Sequence, residues 1–124
     1  MSAGVGPGSS VAVVGDGAVG LCAVLASVQL GATTVIAMSR HEARQQVARE
    51  FGATHIVTER DEAGIAAIRD LTDGIGADCV LECVGTEGAR HQAIGSVRDG
   101  GNVGLVGVPH GDLPVNDLFW RNVG

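Results

Sequence analysis

The sequence predicts a doubly wound α/β fold, in which helices cover both faces of a parallel sheet within a single domain. Short apolar runs alternate with segments of helical periodicity between residues 11 and 106, and this alternation requires parallel strands joined by right-handed crossovers. Apolar residues make up 45% of the chain and aromatic residues only 2%, which is typical of a sheet packed with Val, Ile, Leu and Ala. The 124 residues suffice to bury one continuous core.

The predicted strands are short apolar runs. They cover residues 11–14, 34–38, 55–57, 79–83 and 102–106. Ligands of doubly wound folds bind beyond the carboxyl ends of the strands. The residues that follow each run are therefore the first candidates for a functional site.

The predicted helices lie between these strands. They cover residues 18–30, 40–51, 61–72 and 88–97. Apolar residues recur at helical spacing in these segments, Gly31 ends the first helix as a left-handed cap, and Gly52 stops the second. Clusters of Asp and Gly predict turns at residues 73–76 and 98–101.

The first helix is apolar around most of its circumference. Its apolar residues are Val19, Leu21, Cys22, Val24, Leu25, Val28 and Leu30. One face packs on the sheet, and the simplest explanation of the rest is a well-buried helix in a compact domain. We favour a second explanation, in which another domain or subunit covers the outer face. In that case this chain alone exposes an apolar patch.

Charge and composition narrow the possible functions. The formal net charge is −6 and the isoelectric point is near 5.0, so the surface should repel nucleic acid and anionic membranes. No segment has the pattern of a signal peptide or a membrane span. We therefore expect a soluble cytoplasmic protein that binds neither nucleic acid nor membrane.

The three cysteines have neither disulfide nor zinc spacing, which fits a reducing compartment. If residues 77–83 form a strand, Cys79 and Cys83 lie about 13 Å apart, too far to share one ion. We interpret both as core residues. The four histidines form no close-spaced pair and are interpreted as surface or turn residues.

A glycine-rich turn joins the first strand to the first helix: residues 11–20 read VAVVGDGAVG. In this Gly-x-Gly-x-x-Gly pattern Gly15 allows a tight turn, Gly17 lets the backbone approach a phosphate, and Gly20 lets helix and strand pack closely. The N–H groups of the first helical turn, which begins with Ala18 and Val19, face the anion. The junction is predicted to bind a pyrophosphate.

Further segments carry a resemblance to a known family. They are residues 6–11 (GPGSSV), 15–21 (GDGAVGL), 48–54 (AREFGAT), 76–85 (GADCVLECVG) and 107–109 (GVP). In this order they resemble the nucleotide-binding (Rossmann) domain of medium-chain, zinc-alcohol-dehydrogenase-like dehydrogenases/reductases, over nearly the whole chain.

The resemblance implies that residues 1–124 are an NAD(P)-binding domain. It also implies a parent oxidoreductase that transfers hydride between an alcohol or carbonyl substrate and a nicotinamide. In such families a second domain holds the catalytic residues and any zinc, and that domain is absent from these residues. We expect the chain to bind cofactor without turnover, and we nominate no catalytic or metal-ligating residue in it. Residues 116–124 resemble the approach to a sixth strand, which we expect to be truncated, leaving a sheet edge through which two copies can pair.

The residues after the second strand predict which cofactor binds. NAD-binding folds place an acidic residue here, but the sequence has Ser39, Arg40 and His41, with Arg44 one helical turn further on. A carboxylate would repel a 2′-phosphate, whereas hydroxyl and guanidinium groups can hydrogen-bond it. We therefore predict NADP(H) rather than NAD(H). The same residues also fit a capping box, in which Ser39 caps the second helix and Glu42 is its partner. The two interpretations are not exclusive.

The resemblance implies further contacts along the cofactor. It places Val84 and Gly85 along the adenosine half, the backbone of Val106, Gly107 and Val108 beside the nicotinamide ring, and Val19 against the other side of the ring. Packing at a strand end explains Val106 and Val108 equally well. We expect the side chain of Asp16, inside the glycine turn, to point to solvent and away from the pyrophosphate.

Two other functions compete with this interpretation. An S-adenosylmethionine-dependent methyltransferase also has a glycine-rich loop after its first strand, but the third glycine and the nearby arginines favour a dinucleotide. A nucleotide-sensing module without an enzymatic partner domain is the other alternative.

Overall fold

The computed structural model of the protein describes residues 4–106. Five strands, β1 (Ser10–Val14), β2 (Thr34–Met38), β3 (His55–Val57), β4 (Ala77–Glu82) and β5 (Val97–Leu105), alternate with four helices, α1 (Ala18–Gln29), α2 (Glu42–Glu50), α3 (Asp61–Asp70) and α4 (Glu87–Ser96). All strand pairs are parallel, in the order β3-β2-β1-β4-β5. The strand order therefore reverses between β1 and β4, and the predicted doubly wound fold is confirmed.

Alternate residues of the central strand face opposite layers of helices, because successive side chains of a strand point to opposite faces. Val11 and Val13 of β1 pack in one core cluster with residues of α1 and α2. Ala12 and Val14 pack in the other, with residues of α3 and α4. Both faces of the sheet are thus covered, and the carboxyl ends of the strands are left as the edge at which a ligand can bind.

The predicted boundaries of β2 and β3 agree with the structure, and most other boundaries shift by one or two residues. Gly31 has φ of +96° after α1, as predicted for a left-handed cap. Cys79 is buried and Cys83 half-buried in the core cluster beneath α1, which confirms their interpretation as packing residues.

The turn predicted at residues 98–101 is wrong, because β5 begins at Val97 and runs through these residues. Ala77 pairs with Val97 and Cys79 with Asn102, so residue 78 of β4 faces residues 98–101 of β5 in an irregular bulge. The bulge is held by a contact between strands: the Arg98 Nε donates to Asp78 Oδ1 at 2.7 Å. Asp and Gly residues there accommodate the bulge rather than separate helix from strand.

Acid is expected to weaken the fold through Asp78. Burial raises the pKa of this carboxyl, but the Ser10 backbone N–H and the Arg98 guanidinium outweigh burial and hold the pKa below 3.8. A lowered folded pKa stabilises the protein above the unfolded pKa, and this contribution is lost as the pH falls through about 4 and below. The Asp78→Asn variant should therefore lose less stability than the parent between neutral pH and about pH 3, measured by urea unfolding. Asp70→Asn, which replaces an exposed carboxylate, is the control. Its free energy of unfolding should fall with pH as steeply as that of the unsubstituted protein.

The outer face of α1 is exposed, with exposed fractions of 50% at Val19, 39% at Leu25 and 37% at Val28. α1 is therefore not buried around its whole circumference. The exposed apolar face is the one expected if another domain or subunit covers it. Within residues 4–106, no helix is both long and apolar enough to cross a membrane.

Candidate functional site

The glycine turn at residues 15–20 is closed on its inner side and open on its outer side. Gly15 has φ of +124°, which L residues with a side chain rarely adopt. A Cβ added to Gly20 would overlap the carbonyl oxygen of Gly15. A Cβ added to Gly17 would meet no atom within 4 Å. The turn packs tightly against the helix start while its other surface leaves room for a ligand to approach the backbone.

The amino terminus of α1 has the features of an anion-binding position. Gly17 is its N-cap, with no side-chain hydrogen bond to the cap and no acidic residue in the first turn. The first N–H groups of a helix have no partner within it, and its dipole favours negative charge there. With the open space at Gly17, these groups can receive a phosphate without displacing a side chain.

A cavity of about 400 Å³ lies at the carboxyl ends of the strands, beside this turn. Six of the predicted site residues line it: Gly15, Ser39, Arg40, His41, Arg44 and Val84. Residues that the sequence analysis did not single out also line it, among them Glu59, Arg60 and Asp61, which follow β3. The sequence contains the signal for these residues, because they follow a predicted strand and ligands of this fold bind beyond the carboxyl ends of the strands.

The other predicted site residues lie outside the lining of this cavity. Gly17, Ala18 and Val19 are exposed at the start of α1, whereas Gly20 and Gly85 are buried. Val106 is 46% exposed, and its N–H donates to the carbonyl of Glu82 at 2.8 Å, so it lies beside the end of β4. Gly107 and Val108 lie outside the described residues, as does the predicted sixth strand.

The expectation that Asp16 points to solvent is wrong. Its side chain is only 18% exposed and turns toward the end of β2. The Ser39 hydroxyl donates to Asp16 Oδ2 at 2.7 Å, and Arg44 Nη1 donates to Asp16 Oδ1 at 3.1 Å. The partners are 23 and 28 residues away in sequence, which is why local reasoning missed them.

These contacts keep the Asp16 carboxylate charged. Burial raises its pKa, but the hydrogen bonds from Ser39 and Arg44 and the positive charge of Arg44 outweigh burial, so that the pKa lies below 3.8. At neutral pH the wall of the cavity therefore contains a carboxylate, although none stands at the end of β2 itself.

Ser39 is not the cap of α2, so the predicted capping box does not form. The N-cap is His41, and α2 begins at Glu42. Ser39 is 4% exposed, and the Gln45 side chain donates to its carbonyl at 2.8 Å. The Ser39 hydroxyl donates to Asp16 and accepts from the N–H of His41 at 3.4 Å, and α2 begins three residues after Ser39.

A buried carboxylate shapes the loop after β4. Glu82 is 1% exposed, and its Oε1 accepts the N–H groups of Val84 at 2.7 Å and Gly85 at 2.6 Å. The buried Arg90 donates to the carbonyl of Gly85 at 3.1 Å. The loop is thereby held with Val84 against the glycine turn, where its Cγ2 would lie 3.1 Å from a Cβ on Gly15.

Within residues 4–106, no three His, Cys, Asp or Glu side chains are grouped so that they could hold a metal ion. The donors that this part of the chain does bring together are backbone N–H groups, a hydroxyl and guanidinium groups. These are donors that bind phosphate.

Comparison with known proteins agrees with this geometry. The chain is 38% identical over 114 residues to sorbitol dehydrogenase of Bacillus subtilis, which covers 91% of the chain and 32% of that protein. Geraniol dehydrogenase of Castellaniella defragrans is also 38% identical over 114 residues, covering 92% of the chain and 31% of that protein. The chain thus spans about a third of the length of these relatives.

Solved structures show the same fold. Zinc-dependent alcohol dehydrogenase 2 from Streptococcus pneumonia, in its apo form, matches 96% of this chain and 35% of its own, with a TM-score of 0.87 and 35% identity. A structure from Sinorhizobium meliloti bound to NADP matches 98% of this chain and 37% of its own, with a TM-score of 0.82 and 29% identity. The sequence profile described as "Zinc-binding dehydrogenase" matches residues 18–123. This match covers most of the chain, which therefore belongs to the zinc-binding dehydrogenase family.

Proposed function

We propose that the chain is the NADP(H)-binding domain of an oxidoreductase that transfers hydride between an alcohol or carbonyl substrate and a nicotinamide. Family membership supports a dehydrogenase, and it favours a dinucleotide over S-adenosylmethionine. The glycine turn fits a pyrophosphate, because Gly17 leaves open space at the uncapped start of α1.

The observation that carries the choice of NADP is the end of β2. Ser39 and Arg40 stand where an NAD-binding domain has a carboxylate, and both line the cavity together with Arg44. Arg40 is exposed, and within residues 4–106 no ion pair engages its guanidinium. It can therefore give charge-assisted hydrogen bonds to a 2′-phosphate. The related Sinorhizobium meliloti structure is bound to NADP.

The remaining contacts extend along the cofactor. Val84 and Gly85 would contact the adenosine half, supported by the position of Val84 beside Gly15. Val19 would press on one side of the nicotinamide ring, and the backbone of residues 106–108 would meet the other. When bound, the nicotinamide supplies the hydride chemistry, and these residues orient it.

The share of the reaction carried by this chain is binding and orientation. The relatives are about three times longer, and we propose that the catalytic residues, any zinc and the substrate-recognising groups lie in that additional length. The exposed face of α1 is a surface that such a domain can cover. The isolated chain should bind cofactor and show no alcohol turnover.

Calorimetric titration with NADP, NAD and S-adenosylmethionine tests this proposal against its alternatives. We expect NADP to bind most tightly and S-adenosylmethionine not to bind. Tight binding of S-adenosylmethionine alone would overturn the dinucleotide assignment. A nucleotide-sensing module is favoured instead if the full-length protein binds NADP but oxidises no alcohol and reduces no carbonyl compound.

The Arg40→Ala variant tests the choice of cofactor. Loss of one charge-assisted hydrogen bond to the 2′-phosphate should weaken NADP binding by about tenfold or more and leave NAD binding nearly unchanged. Arg49→Ala removes an exposed arginine at the other end of α2 and is the matched control. Equal losses for NADP and NAD in Arg40→Ala would contradict the assignment.

A further inference from the structure

Asp16 accepts hydrogen bonds from the same donors that a 2′-phosphate would need. Its two carboxylate oxygens accept from the Ser39 hydroxyl at 2.7 Å and from Arg44 at 3.1 Å. Both donors belong to the group that the proposed function assigns to the adenosine 2′-position. Two acceptors cannot hold the same hydroxyl proton, so the carboxylate and a phosphate compete for it.

We propose that Asp16 is a specificity-determining residue that acts as an internal competitor of the 2′-phosphate, lowering the preference of the domain for NADP over NAD. This inference rests on the proposed function of the site. When NADP binds, its 2′-phosphate accepts the hydrogen bonds from Ser39 and Arg44, and the Asp16 carboxylate moves away from these two donors. NAD has an uncharged hydroxyl at this position, which leaves the Asp16 contacts with Ser39 and Arg44 in place.

The charge of the cavity wall supports this role. Among the residues that line the cavity are three arginines, Arg40, Arg44 and Arg60, and three acidic residues, Asp16, Glu59 and Asp61. Their formal charges cancel, so the wall offers a phosphate little net attraction. Asp16 is the one of these acids that pairs with Arg44, and its removal leaves a net positive wall and a free Arg44 side chain.

The position of Asp16 in the turn makes it separable from the fold. It lies between Gly15 and Gly17, outside both core clusters, and within residues 4–106 its side chain accepts hydrogen bonds from Ser39 and Arg44. A neutral side chain of the same shape can keep the hydrogen bond from Ser39, because an amide oxygen also accepts. Asp16→Asn therefore changes the charge of the site with little change in its shape.

The test measures the affinities of the full 124-residue chain for 2′,5′-ADP and 5′-AMP, which differ only in the 2′-phosphate, and for NADP and NAD. In Asp16→Asn the affinity for 2′,5′-ADP and NADP should rise about tenfold, with that for 5′-AMP and NAD changed by less than about threefold. Asp16→Glu keeps the charge and is the matched control, with a ratio of affinities close to that of the parent. Asp16→Ser removes the charge with a smaller side chain and gives the same reading if Asp16→Asn fails to fold.

The outcomes separate this inference from the proposed function. If the parent prefers 2′,5′-ADP and loses that preference in Arg40→Ala, but Asp16→Asn and Asp16→Ser leave the ratio unchanged, the role of Asp16 is wrong and the NADP assignment stands. If the parent does not distinguish 2′,5′-ADP from 5′-AMP and Arg40→Ala changes neither, the NADP assignment itself is wrong. The competition is supported if the affinity for 2′,5′-ADP rises relative to that for 5′-AMP in Asp16→Asn and Asp16→Ser but not in Asp16→Glu.

Discussion

Replacing Gly20 with alanine is expected to lower the free energy of unfolding by about 1–3 kcal/mol. The added Cβ would overlap the backbone carbonyl oxygen of Gly15, and neither residue can shift easily, because Gly15 directly follows β1 and Gly20 lies within α1. Helix propensity alone favours alanine over glycine by about 1 kcal/mol, so the overlap decides the sign. Urea unfolding followed by circular dichroism measures the change.

Gly17→Ala is the matched control for Gly20→Ala. Residue 17 has φ of −76° and ψ of −170°, which any residue can adopt, and an added Cβ would meet nothing within 4 Å. Its stability should change by less than about 1 kcal/mol. Its affinity for a dinucleotide should fall, because the methyl group occupies the space through which a phosphate approaches. A Gly20→Ala variant as stable as Gly17→Ala would contradict the tight packing of the turn.

Glu82→Ala should destabilise the protein by about 3 kcal/mol or more. The substitution leaves the N–H groups of Val84 and Gly85 without the buried carboxylate oxygen that accepts both. The Gly85 N–H is buried and the Val84 N–H partly buried, and a buried donor without a partner costs about 1–3 kcal/mol. Hydrogen exchange at these two amides should accelerate in the same variant, since the loop would open more easily.

Glu82→Gln separates the acceptor from the side-chain volume. Its amide oxygen can still accept from the loop, so its loss of stability should be roughly half that of Glu82→Ala or less. Both variants are compared in the same urea titration. If Glu82→Gln is as unstable as Glu82→Ala, the carboxylate does not act through these two hydrogen bonds.

The fold could be predicted because its signals are local. Residues 35–38 of β2 and 56–57 of β3 are apolar and are bounded by polar or glycine-containing stretches, and the predicted ends of both strands agree with the structure. Gly15 has the backbone conformation, and Gly20 the close packing, that the spacing of the glycines indicates. The alternation of strand and helix patterns was sufficient to predict the parallel sheet, because parallel strands with right-handed connections allow few arrangements.

The errors all involve contacts between residues distant in sequence. The bulge in β5 depends on Asp78, which is 20 residues from Arg98, and composition alone made that segment look like a turn. Asp16 and Ser39 come together only because β1 and β2 are neighbours in the sheet. An acidic residue in a glycine turn and a serine before a helix each have a plausible local explanation, and only the sheet order shows that they bind each other.

The glycine turn is packed through its main chain at Gly15 and Gly20, whereas the cavity beside it is lined by the side chain of Asp16 and by side chains from separate loops. Mutation acts differently on the two. Substitution of a lining side chain changes the charge that faces a ligand while the domain stays folded. Substitution of Gly15 or Gly20 disturbs the packing of the turn itself. Substitutions at positions such as 16, 40 and 44 should therefore change the ligand-facing side chains while leaving the fold intact.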